Sequence, residues 1–243
     1  MSNAGVGSES RGRLRAVQLE IRKRVRGKDY AAGARLPSER DLSKEFGMPR
    51  VSVHECLVQL EAEGLIYRET NRGWYVSPPR FLYNPQSKGH FTLSAEQQGR
   101  HPHTRVIDKR VVAAPEQVAE LLKLPAGTEM ARIRRVRSID GRPVLYVEHY
   151  YMPCVFPNLF EHDLSVSLTE LYRDKYDFHY GRMRYQIIPT AVREAAARVL
   201  RLAVGSPALL VRRVNHERNG AVSDCDLEYW RHDAVLVEVE VDD

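Results

Sequence analysis

Between residues 35 and 76 the chain reads RLPSERDLSKEFGMPRVSVHECLVQLEAEGLIYRETNRGWYV, and three arginines in it are placed for one kind of chemistry. Each guanidinium is a planar, permanently charged fork, suited to phosphate oxygens or to the O6 and N7 edge of a guanine. A single surface arginine carries no such message. What gives Arg40, Arg50 and Arg72 weight is the order of the elements that must hold them. Leu36-Pro37-Ser38 leads into a short helix, with Ser38 as N-cap and Asp41 three residues on, a capping-box spacing weakened because Asp is shorter than Glu. Leu42 and Phe46 share one face of that helix, and Gly47-Met48-Pro49 breaks it. A second helix starts near Pro49 or Arg50, since proline suits a first turn, and Gly64 ends it. Its stripe of Val53, Leu57 and Leu60, at spacings of four and three, predicts a buried face. Residues 65–69 and 74–76 read as two short strands joined by Thr70-Asn71-Arg72-Gly73.

Helix, tight turn, helix and hairpin is the plan of a winged helix-turn-helix, in which the second helix enters the DNA major groove and the first crosses the backbone. On that plan Arg50 stands at the N-terminal end of the reading helix, within reach of a base edge. Arg40, one turn into the first helix, faces a phosphate. Arg72 sits at the hairpin tip, placed for a phosphate or the minor groove.

LPSERDLSKEFG followed by QLEAEGLI and a glycine-containing wing closely resembles the DNA-binding domain of GntR-type bacterial transcriptional regulators. The resemblance implies DNA contacts at Arg35, Arg40, Arg50 and Ser52, and at Arg72 and Gly73 in the wing; Ser38 and His54 complete the DNA-facing set. Two positions depart from the family pattern. Pro49 stands where Ser is usual, and His54 stands where a second Arg is often found four residues after the first. The missing arginine implies an operator that differs from the commonest family site.

The chain has 243 residues, 43% hydrophobic and 28% charged, which predicts a globular protein of one large or two modest domains. Its formal charge of +5 is unevenly spread: residues 11–80 hold 15 Lys+Arg against 9 Asp+Glu, whereas residues 81–243 are balanced at 22 each. A basic excess confined to one segment is the footprint of a nucleic-acid contact. Cys56, Cys154 and Cys225 form no CxxC pair and no zinc spacing, so no metal is implied, and their odd number fits a reducing cytoplasm. No apolar run is long enough to span a membrane, and no signal peptide is visible. Residues 1–10 are small and polar, with a tag-like Ser-Asn-Ala, and are read as disordered. Residues 12–26 predict a helix from Leu14, Val17, Ile21 and Val25, so the first domain is expected to span 11–80.

Residues 81–99, with Asn84-Pro85, Ser87 and Gly89 and no sustained period, read as a linker before a second domain at 100–243. Strands are expected over 104–113, 129–139, 144–151, 181–189, 209–217, from 221 to Trp230, and over 235–241. Asp140-Gly141 and Asn219-Gly220 are hairpin turns, and helices are expected over 115–122, 168–175 and 192–200. The result is α+β, an antiparallel sheet with helices to one side.

RIRRVRSIDGRPVLYVEHYYMP, DLSVSLTELY and the closing YWRHD resemble the UTRA effector domain of the HutC subfamily of GntR regulators, whose fold is shared with chorismate lyase. The resemblance implies a ligand pocket between sheet and helices, with Arg135, Arg137, Glu148, Ser167 and residues 224–230, Trp230 among them, around it. Ser167 opens a helix whose free backbone N–H groups suit an anion. Thr169 stands where sugar-phosphate readers of the subfamily carry Tyr. Asp224, Asp226 and Glu228 fall at alternate positions, on one face of a strand: a solvated ladder, or a pocket wall that accepts an amine. His101 and His103 lack a neighbouring carboxylate and do not predict a metal site, and Arg231-His232-Asp233 reads as a turn. No nucleophile with a base and an orienting partner stands out, and no cofactor is implied.

These readings converge on a homodimeric, ligand-responsive repressor that binds a palindromic double-stranded DNA operator and is released by a small anionic effector. The closing EYWRHDA resembles that of phosphonate-utilisation regulators, which points to an aminoalkylphosphonate. The competing classes are a lyase-like enzyme with an accessory DNA-binding arm and a constitutive architectural DNA binder.

Overall fold

The computed structural model describes residues 4–27, 29–87 and 90–241. The chain divides into two compact units between Arg80 and Phe81. In the first, α1 (Ala4–Arg26), α2 (Glu39–Glu45) and α3 (Arg50–Ala62) precede a hairpin of β1 (Ile66–Glu69) and β2 (Gly73–Val76). Val53, Cys56, Leu57 and Leu60 of α3 are fully buried against Val17 and Ile21 of α1, Leu42 of α2, and Ile66, Trp74 and Val76 of the hairpin. Truncating such a leucine to alanine costs about 2–5 kcal/mol, so this cluster is what fixes α3. Ser38 caps α2 by accepting from the Asp41 backbone N–H at 3.2 Å. α1 begins at Ala4, earlier than residue 12, and so takes in part of the segment expected to be disordered; residues 1–3 lie outside the described residues.

The second unit contains β3 (Phe81–Tyr83), α4 (Phe91–Gln97), β4 (Pro102–Ala113), α5 (Glu116–Leu122), β5 (Glu129–Ile139) and β6 (Arg142–Tyr151). A 3₁₀ turn (Leu159–Glu161) then leads to α6 (Leu168–Tyr176), β7 (Tyr180–Ala191), α7 (Glu194–Leu200), β8 (Pro207–Glu217), β9 (Val222–Arg231) and β10 (Val235–Val237). Six strands form one antiparallel sheet in the order β4-β5-β6-β9-β8-β7. Asp140 and Gly141 both take positive φ, 51° and 78°, as a two-residue turn between twisted strands requires.

Three sequence expectations are corrected here. Residues 81–99 are not a linker: β3 pairs in parallel with β10, and Phe91 and Ala95 of α4 are buried on Leu145, Val147, Val211 and Trp230. β3 is three residues long and its partner lies over 150 positions away, so no local periodicity announces it. The same pairing limits the last strand to residues 235–237. The helices also cover both faces of the sheet. α4 and α6 lie on one face, with Leu168 and Tyr172 on Ala131, Ile133 and Tyr151. α5 and α7 lie on the other, against Tyr150, Leu210, Cys225 and Leu227 and against Tyr146 and Ala208. That double burial is why all ten residues of β6 are buried rather than alternate ones.

Candidate functional sites

In the first unit, Arg35, Arg40, Arg50, Arg68 and Gly73 border one shallow groove, with Glu39 and Trp74 in its wall. Arg50 is the first residue of α3 and its side chain is 71% exposed, as a base-reading position at a helix N-terminus requires. Gly73, at φ 104°, lets the wing pass close to Arg35: a Cβ there would stand 3.4 Å from Arg35 Nε. Arg40 is exposed on α2. Arg72 lies on the wing outside the groove, where its Nη1 donates to Glu69 Oε2 at 2.9 Å. Ser52 is half-buried on α3.

Glu39 is the residue that sequence reasoning missed. Its Oε2 accepts from Arg50 Nε at 3.1 Å, while Oε1 meets His54 Nδ1 at 2.9 Å and accepts from Trp74 Nε1 at 3.0 Å. Burial pushes this carboxyl up, but the hydrogen bonds from His54, Trp74 and Arg50 outweigh it and hold the group at about 2. Glu39 therefore ties the reading helix to the wing, and His54, expected to face DNA, is half-buried on that tie and edge-on to Trp74 at 6.0 Å.

In the second unit, a half-open cavity with about 910 Å³ of empty space, its mouth included, lies between the sheet and α4 and α6. Of the expected effector residues, Arg135, Arg137, Ser167, Thr169 and Trp230 line it. Arg137 lies with its guanidinium 5.0 Å from the Phe91 ring centre, and its Nε is buried without a hydrogen-bond partner. Among the described residues neither Arg135 nor Arg137 forms an ion pair with a carboxylate, although His149, Arg213 and Glu228 in the same cavity do; burial lowers the basicity of Arg137, and the charge of Glu228 is the largest pull back up. Burial and then the charge of Arg137 lower the basicity of Arg135, a cost that a bound anion would offset. Ser167 caps α6, accepting from Glu170 N at 3.3 Å.

Three expected positions do not line the cavity. Glu148 points to the opposite sheet face, where it accepts from Tyr146, at 2.5 Å, and Tyr150, at 2.7 Å, and pairs with Arg134 Nε at 2.9 Å. Strand alternation sets this: Glu148 sits opposite Arg134 and Leu227, one residue out of phase with Arg135 and Arg137. Asp224 and Asp226 face the cavity side but lie beneath its lining, 4% and 1% exposed, so they form neither a solvated ladder nor a wall. Asp226 pairs with His149 and accepts from Arg213 Nε at 2.7 Å. Asp224 accepts from Asn215 Nδ2 at 2.5 Å, Ser223 Oγ at 2.6 Å and Tyr180 Oη at 3.4 Å. Burial, then the charge of Asp226, pushes Asp224 up to about 7. Glu228 is the acid that does reach the cavity, held by Trp230 Nε1 at 3.1 Å.

His149 and Arg213 also escaped the sequence reading. Arg213 had a usable signal: the Asn219-Gly220 turn sets the register that places it opposite Asp226. The buried Arg231–Asp233 pair, joined by Arg142 at 2.7 Å, stands at a turn. Among the described residues, no group of three or more His, Cys, Asp or Glu could hold a metal, and no helix is long and apolar enough to cross a membrane.

A winged helix-turn-helix followed in the chain by a sheet-and-helix unit with a cationic cavity defines a DNA-binding regulator with a small-molecule domain. Residues 14–76 match the family of bacterial regulatory proteins of the gntR type, and residues 97–235 match the UTRA domain. The chain is 32% identical over 204 residues, 84% of its length and 86% of the relative's, to the uncharacterized HTH-type transcriptional regulator YihL of Escherichia coli K12. It is 26% identical to the HTH-type transcriptional repressor NagR of Bacillus subtilis, covering 89% of each chain. The crystal structure of PhnF from Mycobacterium smegmatis shares the fold at a TM-score of 0.64 and 21% identity, over 93% of this chain and 99% of that one. The chain belongs to the GntR family of transcriptional regulators and carries the UTRA effector domain.

Proposed function

We propose that this regulator is a homodimeric repressor that leaves a palindromic operator when a small phosphonate or phosphorylated metabolite enters the cavity of the second unit. The observation that carries the reading is the pair Arg135 and Arg137, two cations at a cavity wall that form no ion pair with a carboxylate among the described residues. Arginine holds phosphate or phosphonate oxygens by charge-assisted hydrogen bonds, and the helix N-terminus at Ser167 favours the same charge. Thr169, in place of the tyrosine of sugar-phosphate readers, speaks against a plain sugar phosphate. Glu228 offers the opposite charge in the same cavity, which supports an aminoalkylphosphonate with its ammonium toward that carboxylate.

Calorimetry with 2-aminoethylphosphonate, ethylphosphonate and glucosamine 6-phosphate tests the class. The zwitterion should bind best, and Glu228→Gln should erase its advantage over ethylphosphonate. Equal binding of the two phosphonates by the unaltered protein rejects the ammonium site. Tightest binding of the sugar phosphate rejects the inference from Thr169.

A further inference from the structure

The two cavity arginines differ in what they have left to give. Arg135 is 1% exposed and spends almost all its donors on the protein. Its Nε and Nη2 donate to His149 Nε2 at 3.1 and 2.8 Å, and Nη1 donates to the carbonyls of Leu164 at 3.2 Å and Val166 at 2.9 Å. A guanidinium has five N–H groups, so about one is left over, on Nη2. Behind it, His149 Nδ1 meets Asp226 Oδ1, and the other oxygen of Asp226 is taken by Arg213. Arg137, two residues on along the same face of β5, is the reverse case: it lines the cavity with a buried Nε that has no partner.

We propose that Asp226, His149 and Arg135 are positioning residues behind the anion site. They form a buried relay that holds residues 164–166, and with them the start of α6 at Ser167, facing the anion. The inference rests on the effector-pocket reading above. Asp226 accepts, so His149 carries its proton on Nδ1. That leaves Nε2 with the lone pair that Arg135 needs, and the ring is neutral. Burial is the largest reason it stays neutral; with the charges of Arg135 and Arg137 it outweighs the pull of Asp226 and takes the imidazole down to about 4. A protonated His149 would offer Arg135 a like charge and no acceptor. The relay does for the pocket what a carboxylate–histidine pair does behind a metal ligand: it fixes a tautomer and thereby a direction.

The test uses the full chain, with inorganic phosphate and ethylphosphonate as probes in calorimetry and side-chain ¹⁵N NMR of the histidines. The unaltered protein should bind at least one probe and show His149 as the neutral Nδ1–H tautomer. Arg137→Ala should abolish probe binding. His149→Leu should weaken it about ten-fold or more, the size of one lost charge-assisted hydrogen bond. His149→Gln, whose amide can donate to Asp226 and accept from Arg135, should recover most of that loss. A His149→Leu protein that binds as tightly as the unaltered one, or an Nε2–H tautomer, overturns the relay. Binding that survives Arg137→Ala places the probes outside this cavity and overturns the pocket reading. Should His149→Leu fail to fold, the tautomer and the His149→Gln protein still decide the relay, since a glutamine variant that folds but binds no probe contradicts it. An unaltered protein that binds neither probe sinks the pocket reading, and the relay with it.

Discussion

Asp224 is a carboxyl that the fold would rather keep protonated. Its value of about 7 lies above the ordinary 3.8, so the native state binds a proton that the unfolded chain gives up more easily. The stability this contributes is fully present below about 3.8 and is lost as pH rises through about 7. Asp224→Asn keeps a side chain that can accept from Asn215 and Tyr180 without the charge. The gap in melting temperature between the variant and the unaltered protein should therefore widen in the variant's favour from pH 4 to pH 7 and then hold. A gap that stays flat across that range contradicts the burial argument. At this scale the sequence was half informative. The alternation of Asp224, Asp226 and Glu228 was readable, as was their shared strand face. Which of the three reaches the cavity was not, because that depends on Arg213, Asn215 and His149 arriving from two other strands.

The first-unit elements were legible because their signals are local. The stripe of α3, the cap at Ser38 and the turn at Gly73 each sit within a few residues of the element they define. β3 and α4 were illegible for the opposite reason: what orders them is the distant strand β10 and the buried Trp230. The two helices of the reading head carry a paired prediction. On the proposed contacts Arg50→Ala removes a base-edge contact, so it should cost about 1–3 kcal/mol on the preferred operator and relax discrimination at one position. Arg40→Ala removes the proposed phosphate contact, so it should weaken all sequences alike and flatten the dependence of affinity on salt. Operator-variant binding assays at several salt concentrations separate the two. Equal losses of both kinds from both variants would reject the assignment. Glu39 holds Arg50 through Nε, so that bond can persist while the Nη groups make the proposed base contact.

For the molecule as a whole, the two units divide the labour that the proposed function requires. The basic excess lies in residues 11–80. The cavity arginines, Arg135 and Arg137, lie in the other unit. That division was visible in the sequence as a charge step, but no sequence feature shows how one unit speaks to the other. An effector acts only through a difference in affinity between two states, and a coupling of about 1–3 kcal/mol is enough for a 5–150-fold change in operator binding. The most direct measurement starts from a palindromic site selected from random DNA with the purified protein. Fluorescence anisotropy then follows its affinity as 2-aminoethylphosphonate is added. Two chains should bind each palindrome, with an affinity that falls about 5–150-fold as the cavity fills. An Arg137→Ala protein should hold the operator but ignore the ligand. Operator affinity that does not move while calorimetry shows the cavity occupied, or selection that returns no preferred DNA at all, would contradict the proposed mechanism.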